Sequence, residues 1–185
     1  MDRVCFLNVR DINSLAKQKE LKSFLHINKV GFIGVLETRV RAHNFNKVAG
    51  SFSNDWEIKS NNEFCENGRI WLMWRRGLFH VQIMFMSSQV MHCKCAHLAS
   101  GVYGSNSDTK RGLLWSDQKA LKCSVPWIIG GILIMCYLRL SELGLQFASL
   151  RFFRSRIVLM IVLCVISKPL ESFLPGAINR RGVIG

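Results

Sequence analysis

At 185 residues the chain is long enough for one domain with its own core, since a chain of about 150 residues buries roughly 70% of the surface its unfolded form exposes. Its formal charge of +13 and pI near 9.9 favour polyanionic partners, nucleic acid or an anionic membrane surface, and bear on association rather than on fold. Seven cysteines, an odd number without regular spacing, fit a reduced compartment better than a secreted disulfide framework. The opening Met1-Asp2-Arg3-Val4 has no signal-peptide pattern, so an intracellular protein of nucleus or cytoplasm is expected, not a secreted one.

In chain order, residues 4–9 suit a short strand, and Ser14 is placed to cap a helix running to about Asn28, with Leu21, Phe24 and Leu25 on adjacent turns. Val30 to Leu36 is an apolar, partly β-branched run ending at Glu37. A carboxylate therefore stands at the C-terminal end of a core strand, where α/β proteins place ligands. Trp56 to Ser60, Arg69 to Trp74, His80 to Met86 and Val90 to Leu98 read as further strands, the last two joined by the polar turn Ser87-Ser88-Gln89. Ser107 or Asp108 starts a helix carrying Leu113, Leu114, Trp115 and Leu121, and Val125 to Ile129 is another core strand, ending in Gly130-Gly131. No internal repeat is visible.

Composition changes at about Pro126. No aspartate and no histidine follows Asp117, and from 123 onward the only acidic residues are Glu142 and Glu171. A site built on metal-bound carboxylates has little to draw on in that segment.

An ordered series of short motifs carries a family resemblance: Leu7-Asn8-Val9-Arg10, Gln18-Lys19-Glu20-Leu21, Leu36-Glu37-Thr38-Arg39, Asn67-Gly68-Arg69-Ile70-Trp71, Val102-Tyr103-Gly104 and Val125-Pro126-Trp127-Ile128-Ile129-Gly130-Gly131. Over residues 4–131 the chain resembles the N-terminal endonuclease domain of plant LINE-type (non-LTR) retroelements, in the exonuclease-endonuclease-phosphatase superfamily. The resemblance implies an α/β fold, a partial β-sandwich flanked by helices. It implies a domain over 1–131 and an apolar, basic tail over 132–185 that is irregular or helical. It further implies magnesium-dependent phosphodiester hydrolysis on DNA, with no small-molecule substrate. Glu37 matches the carboxylate that holds the metal and Asn8 the asparagine beside it. Tyr103 matches a phosphate-contacting tyrosine, and Asn106 an asparagine of the same loop. A hard cation such as Mg²⁺ prefers oxygen ligands and phosphate, and stabilises charge developing on the phosphoryl group.

The departures from the family lie downstream. Its strand after the paired glycines continues as Asp-Phe-Asn and supplies the aspartate that handles the attacking water; this chain has Ile132-Leu133-Ile134. Its closing Ser-Asp-His motif has no match after Asp117. Between Gly101 and Val102 the family runs through a further strand, and a deletion there would expose the edges of its neighbours. One set of codons for Gly131 to Cys136, read one base out of step, restores Asp-Phe-Asn, so the tail reads as out-of-frame protein. The resemblance thus implies a catalytically inactive remnant. The alternatives are a basic nucleic-acid-binding or interaction fragment without catalysis, and a small membrane-associated protein acting through the tail.

Other features have plainer explanations. Ile157 to Ile166 is continuously apolar but shorter than the ~20 residues a spanning helix needs. His92-Cys93-Lys94-Cys95-Ala96-His97 offers zinc-type ligands, yet alternation on a strand turns His92 away from Cys93, Cys95 and His97, which argues for packing. Trp71-Leu72-Met73-Trp74 followed by Arg75-Arg76 reads as a core strand with a charged turn ahead of a base-stacking surface.

Overall fold

The computed structural model describes residues 3–95, 98–121 and 127–132, with two further strand segments at 149–151 and 160–165. The elements are β1 (Arg3–Asn8), α1 (Leu15–Ile27), β2 (Val30–Leu36), α2 (Ala42–Gly50), β3 (Trp56–Ser60), β4 (Ile70–Arg75), β5 (Gln82–Met86), β6 (Val90–Lys94), β7 (Leu98–Tyr103), α3 (Asp108–Ala120), β8 (Trp127–Ile132), β9 (Ser149–Arg151) and β10 (Met160–Val165). They form a four-stranded sheet in the order β1-β2-β4-β3 and a six-stranded sheet in the order β5-β6-β7-β8-β10-β9.

Why the sheets stack follows from alternation. All seven residues of β2 are buried, because its two faces serve different cores. Ile33 and Val35, with Trp71 and Met73 of β4, meet Leu21 and Leu25 of α1 and Val48 and Ala49 of α2. Phe32 and Leu36, with Ile70, Leu72 and Trp74, face Met91, Cys93 and Ala99 of the other sheet. On the far side of that second sheet, Val90, Val102, Trp127 and Ile129 receive Leu114 and Trp115 of α3. The result is the expected α/β sandwich with helices on both outer faces. Ser14 caps α1 by accepting from the Lys17 amide.

Phe6 marks the centre of the sandwich. It pairs in register with Gly34, and a Cβ added to Gly34 or to Gly130 of the facing sheet would fall inside its ring. A Cβ on Gly101 would come within 3.7 Å of the same ring. Gly34 and Gly130 thus leave the space one aromatic side chain fills, while Gly101 makes room for Ile70 and Leu72.

Several elements depart from expectation. The stretch 90–98 is not one strand: β6 ends at Lys94 and β7 returns antiparallel from Leu98, with Lys94 opposite Leu98. The connecting Cys95-Ala96-His97 contains none of the residues that mark turns. β7 runs unbroken through Gly101 and Val102, bonded to β6 on one side and β8 on the other, so the exposed edges expected from a deletion there are not found. α2 has no counterpart among the expected elements; Phe45, Val48 and Ala49 at helical spacing are its only apolar signal. Part of the tail, expected to be irregular or helical, is strand, with β10 antiparallel to both β8 and β9. An apolar run of about ten residues suits a strand buried in a sheet as well as a helix. Ile132, which stands where the family has the aspartate of Asp-Phe-Asn, is the last residue of β8 and pairs with Tyr103, while the rest of that comparison, Leu133 and Ile134, lies outside the described residues. Among the described residues no helix is long and apolar enough to cross a membrane.

Cys93 and His92 are both buried. Burial pushes the Cys93 thiol up to about 12, which keeps it protonated and unsuited to zinc. His92 Nδ1 lies 2.7 Å from the Ser100 hydroxyl, which also accepts from Trp127 Nε1 at 3.0 Å. Since Trp127 only donates, the hydroxyl is free to donate to Nδ1 of a neutral imidazole. Burial lowers the His92 pKa below its ordinary 6.5, so the unfolded chain takes up the proton more readily. This contribution to stability is therefore complete above pH 6.5 and declines as pH falls below that value, levelling off beneath the folded-state pKa. Urea midpoints measured between pH 8 and pH 5 are expected to fall on the acid side for the wild type, and His92→Gln is expected to flatten that slope.

Candidate nucleic-acid site at the strand ends

Parallel pairing of β1 with β2, and of β7 with β8, brings C-terminal strand ends to one edge of the sandwich. Asn8 closes β1, Glu37 follows β2 and Tyr103 closes β7. Glu37 and Tyr103 come from different sheets, yet the Tyr103 hydroxyl donates to the Glu37 carboxylate. Burial pushes the Tyr103 phenol up, and the charge and hydrogen bond of Glu37 add to this, while Arg69 and Arg39 pull it back. The Arg69 guanidinium lies over the Tyr103 ring, 5.0 Å from its centroid, a cation–π geometry. Arg39 Nη2 is 3.8 Å from Glu37 Oε2.

The loops after β1 and β2 carry unusual backbone. Arg10 (φ 47°), Asp11 (φ 92°), Glu37 (φ 53°) and Arg39 (φ 53°) all have positive φ, where a side chain costs about 1–2 kcal/mol. A ladder of bonds holds them there. Asn8 Oδ1 accepts from the Arg10 amide at 3.0 Å, the Asp11 amide donates to the Glu37 carbonyl at 2.8 Å, and the Arg39 amide donates to the Gly68 carbonyl at 3.0 Å. The Thr38 hydroxyl donates to the same Gly68 carbonyl. Strain of this kind gathers where a structure fixes side chains for contact with a ligand.

Of the four residues expected at the site, Glu37 and Tyr103 are in direct contact. Asn8 is buried beside them, its oxygen engaged in holding the loop. Asn106 stands apart, exposed on the loop after β7, where Arg111 donates to its carbonyl at 2.9 Å. Three residues enter that the motifs did not single out. Arg69 supplies the cation over Tyr103. Gln89 holds the Tyr103 loop: its Nε2 donates to the Lys110 carbonyl and its Oε1 accepts from the Ser105 amide, both at 2.7 Å. Asn61, fully buried, accepts from the Arg69 and Ile70 amides at 3.2 and 2.9 Å and donates to the Ser87 and Ser88 carbonyls at 3.1 and 3.3 Å. Arg69 was inside a quoted motif; nothing in the sequence distinguishes Asn61 or Gln89 from other polar residues.

The resemblance implies magnesium, and the donors can be tested against it. Glu37 already accepts from Tyr103 and faces Arg39. Asp11, the nearest acidic residue in the adjoining loop, accepts from the amide and side chain of Asn13, each at 2.8 Å. Among the described residues no three His, Cys, Asp or Glu side chains gather to hold a metal ion. One carboxylate opposed by a guanidinium is a poor resident site for a divalent cation, which relies on negative oxygen ligands.

The two sheets and their flanking helices have the endonuclease/exonuclease/phosphatase fold. Similar structures include the endonuclease domain of TRAS1, a telomere-specific non-LTR retrotransposon, at TM-score 0.60 and 12% identity, covering 89% of this chain and 85% of that one. A 3′-5′ exonuclease from Neisseria meningitidis aligns at TM-score 0.59 and 11% identity, covering 88% of this chain and 86% of that one. An AP endonuclease from Archaeoglobus fulgidus aligns at TM-score 0.58 and 13% identity, with coverage of 89% and 87%. No protein-family model matches the chain, and no curated protein matches it in sequence.

Proposed function

We propose that the chain is a catalytically silent remnant of a retroelement DNA endonuclease, and that it still contacts DNA through the strand-end site. The carrying observation is the closed arrangement of Glu37, held by Tyr103 and Arg39 with Arg69 alongside. Such a carboxylate is engaged within the protein, while the arginines around it suit phosphate oxygens. One structure of similar fold, a 3′ phosphatase from Neisseria, is described as bound to a product DNA hairpin, at TM-score 0.58. Retroelement ancestry rests on the ordered motifs of residues 4–131. The out-of-frame tail rests on the codon shift at Gly131, and the coding DNA tests it directly.

In this reading Arg69, held over the Tyr103 ring, and the exposed Arg39 present guanidinium groups to the backbone of a duplex. Asn8 and the bonded loops keep that surface in place, and no residue activates water. Supercoiled DNA incubated with the full chain and magnesium is expected to show no nicking above a buffer control, with wild type and Glu37→Gln alike. Nicking that requires the metal and disappears in Glu37→Gln would defeat the proposed inactivity. Duplex binding, measured by fluorescence anisotropy, is expected to weaken steeply with salt, and Arg69→Gln is expected to lower the affinity about three- to tenfold.

A further inference from the structure

A second cluster of cationic side chains lies at the other end of the first sheet. Along β4, Ile70 pairs with Leu36 beside Glu37, whereas Trp74 pairs with Phe32 and Arg75 with Trp56. Five residues of strand separate the two ends, roughly 17 Å at ~3.3 Å per residue. Here α1, β4, the start of β3 and the turn before it line a half-open cavity of ≈ 270 Å³. Lys22, His26 and Arg75 supply the basic side chains in its lining and Asp55 the only carboxylate. None of the three basic groups forms an ion pair among the described residues.

Two polar atoms of the lining are buried without a hydrogen bond, Arg75 Nε and Ser51 Oγ. A buried donor left unmade is costly, more so on a charged group, and native proteins nearly always satisfy such atoms with protein, water or ligand. Both atoms can donate. Arg75 Nε can only donate, so what it lacks is an acceptor, which the Ser51 hydroxyl can share, and a cationic lining favours one with negative charge. Lys22 Nζ, 5.2 Å from the centroid of the Phe52 ring, is held at the same cavity. Leu25, Phe52 and Trp56, themselves buried in the core, close the floor of the cavity, whose open surface is left mainly to polar groups.

We propose that this cavity binds a terminal phosphate, its oxygens taking the Arg75 guanidinium, the Ser51 hydroxyl and the Lys22 ammonium, with the attached group directed out through the open side of the cavity. Planar guanidinium with a neighbouring ammonium is a recurrent pairing for phosphate. The site is separate from the strand-end arginines and does not depend on the reading given to Glu37. The same chemistry is offered by a free nucleotide and by the phosphorylated end of a DNA strand.

The test uses the full chain labelled with ¹⁵N, titrated in phosphate-free buffer with inorganic phosphate and then adenosine monophosphate. Saturable shifts of the backbone amides of residues 51–56 are expected. Lys22→Glu, at an exposed position of α1, is expected to weaken binding about tenfold, and Arg75→Gln by at least as much. Because Arg75 ends a core strand, its variant is read beside its melting temperature, and Lys22→Glu carries the result if Arg75→Gln is poorly folded. A 5′-phosphorylated oligonucleotide is then compared with its 5′-hydroxyl counterpart. Preference for the phosphorylated end identifies a strand terminus as the source, and binding of adenosine monophosphate without that preference identifies a free nucleotide. Amides 51–56 that do not move with either phosphate compound would overturn the proposal, as would a Lys22→Glu variant that binds as the wild type does.

Discussion

Replacing Gly130 with alanine is expected to destabilise the protein by about 3 kcal/mol and to lower its melting temperature by roughly 6–12 °C for a chain of this length. The added methyl falls inside the Phe6 ring. That ring has nowhere to go: it is 1% exposed, with Gly34 beneath it and Gly101 at its edge. Relief must come from a shift of β8, which is bonded on both sides, to β7 and to β10, so the strain spreads into three strands. Overpacking of a core usually costs 1–3 kcal/mol, and the upper end applies where neither side chain nor backbone can yield. A second substitution isolates the cause. Phe6→Leu makes room, so the double variant is expected to be more stable than the sum of the two single changes by about 1–2 kcal/mol. Thermal unfolding of the four proteins measures this, and strict additivity would show that Phe6 is not the obstacle.

Asn61→Ala is expected to cost about 3 kcal/mol, and also to weaken DNA binding. The side chain makes four hydrogen bonds in a fully buried position, two to amides at the start of β4 and two to carbonyls of the turn between β5 and β6. Deleting it strands buried backbone groups, each worth about 1–3 kcal/mol when left unsatisfied, less what entering water recovers. Both ends of the network bear on the site: one amide belongs to Arg69, which stacks on Tyr103, and the turn leads into Gln89, which fixes the Tyr103 loop. Asn61→Asp retains the acceptor and loses the donors, so an intermediate stability is expected. Urea unfolding with a DNA titration at matched folded fraction checks both effects; a variant with lost stability and unchanged affinity would limit Asn61 to the core.

How far these features could be read in advance depends on whether their cause is local. β2 was legible because an apolar, β-branched run between polar ends has few alternatives, and α1 because Ser14 and its apolar spacing agree. The β6–β7 reversal is not legible because Cys95-Ala96-His97 contains none of the residues that mark turns, and it shows only in the antiparallel pairing of β6 with β7. α2 was missed because its Asn-rich sequence has weak helix propensity and forms against Trp71, 5.3 Å from Phe45. The β10 run was apolar enough for helix or strand, and its partner β8 decided the outcome. At the site, Glu37 and Tyr103 could be placed by motif order, whereas the bond between them depends on two sheets meeting. The engagement of Asn8 with its own loop depends on a positive φ at Arg10 that no residue type announced.

The thickness of the Phe6 layer governs more than stability. One ring, seated between glycines of facing strands, acts as a spacer for the two halves of the molecule, and the Tyr103–Glu37 bond is a latch fastened across the same gap. A hydrogen bond tolerates only a few tenths of an ångström before it weakens. A wider spacer would therefore unfasten the latch from the inside, releasing Glu37 without touching it.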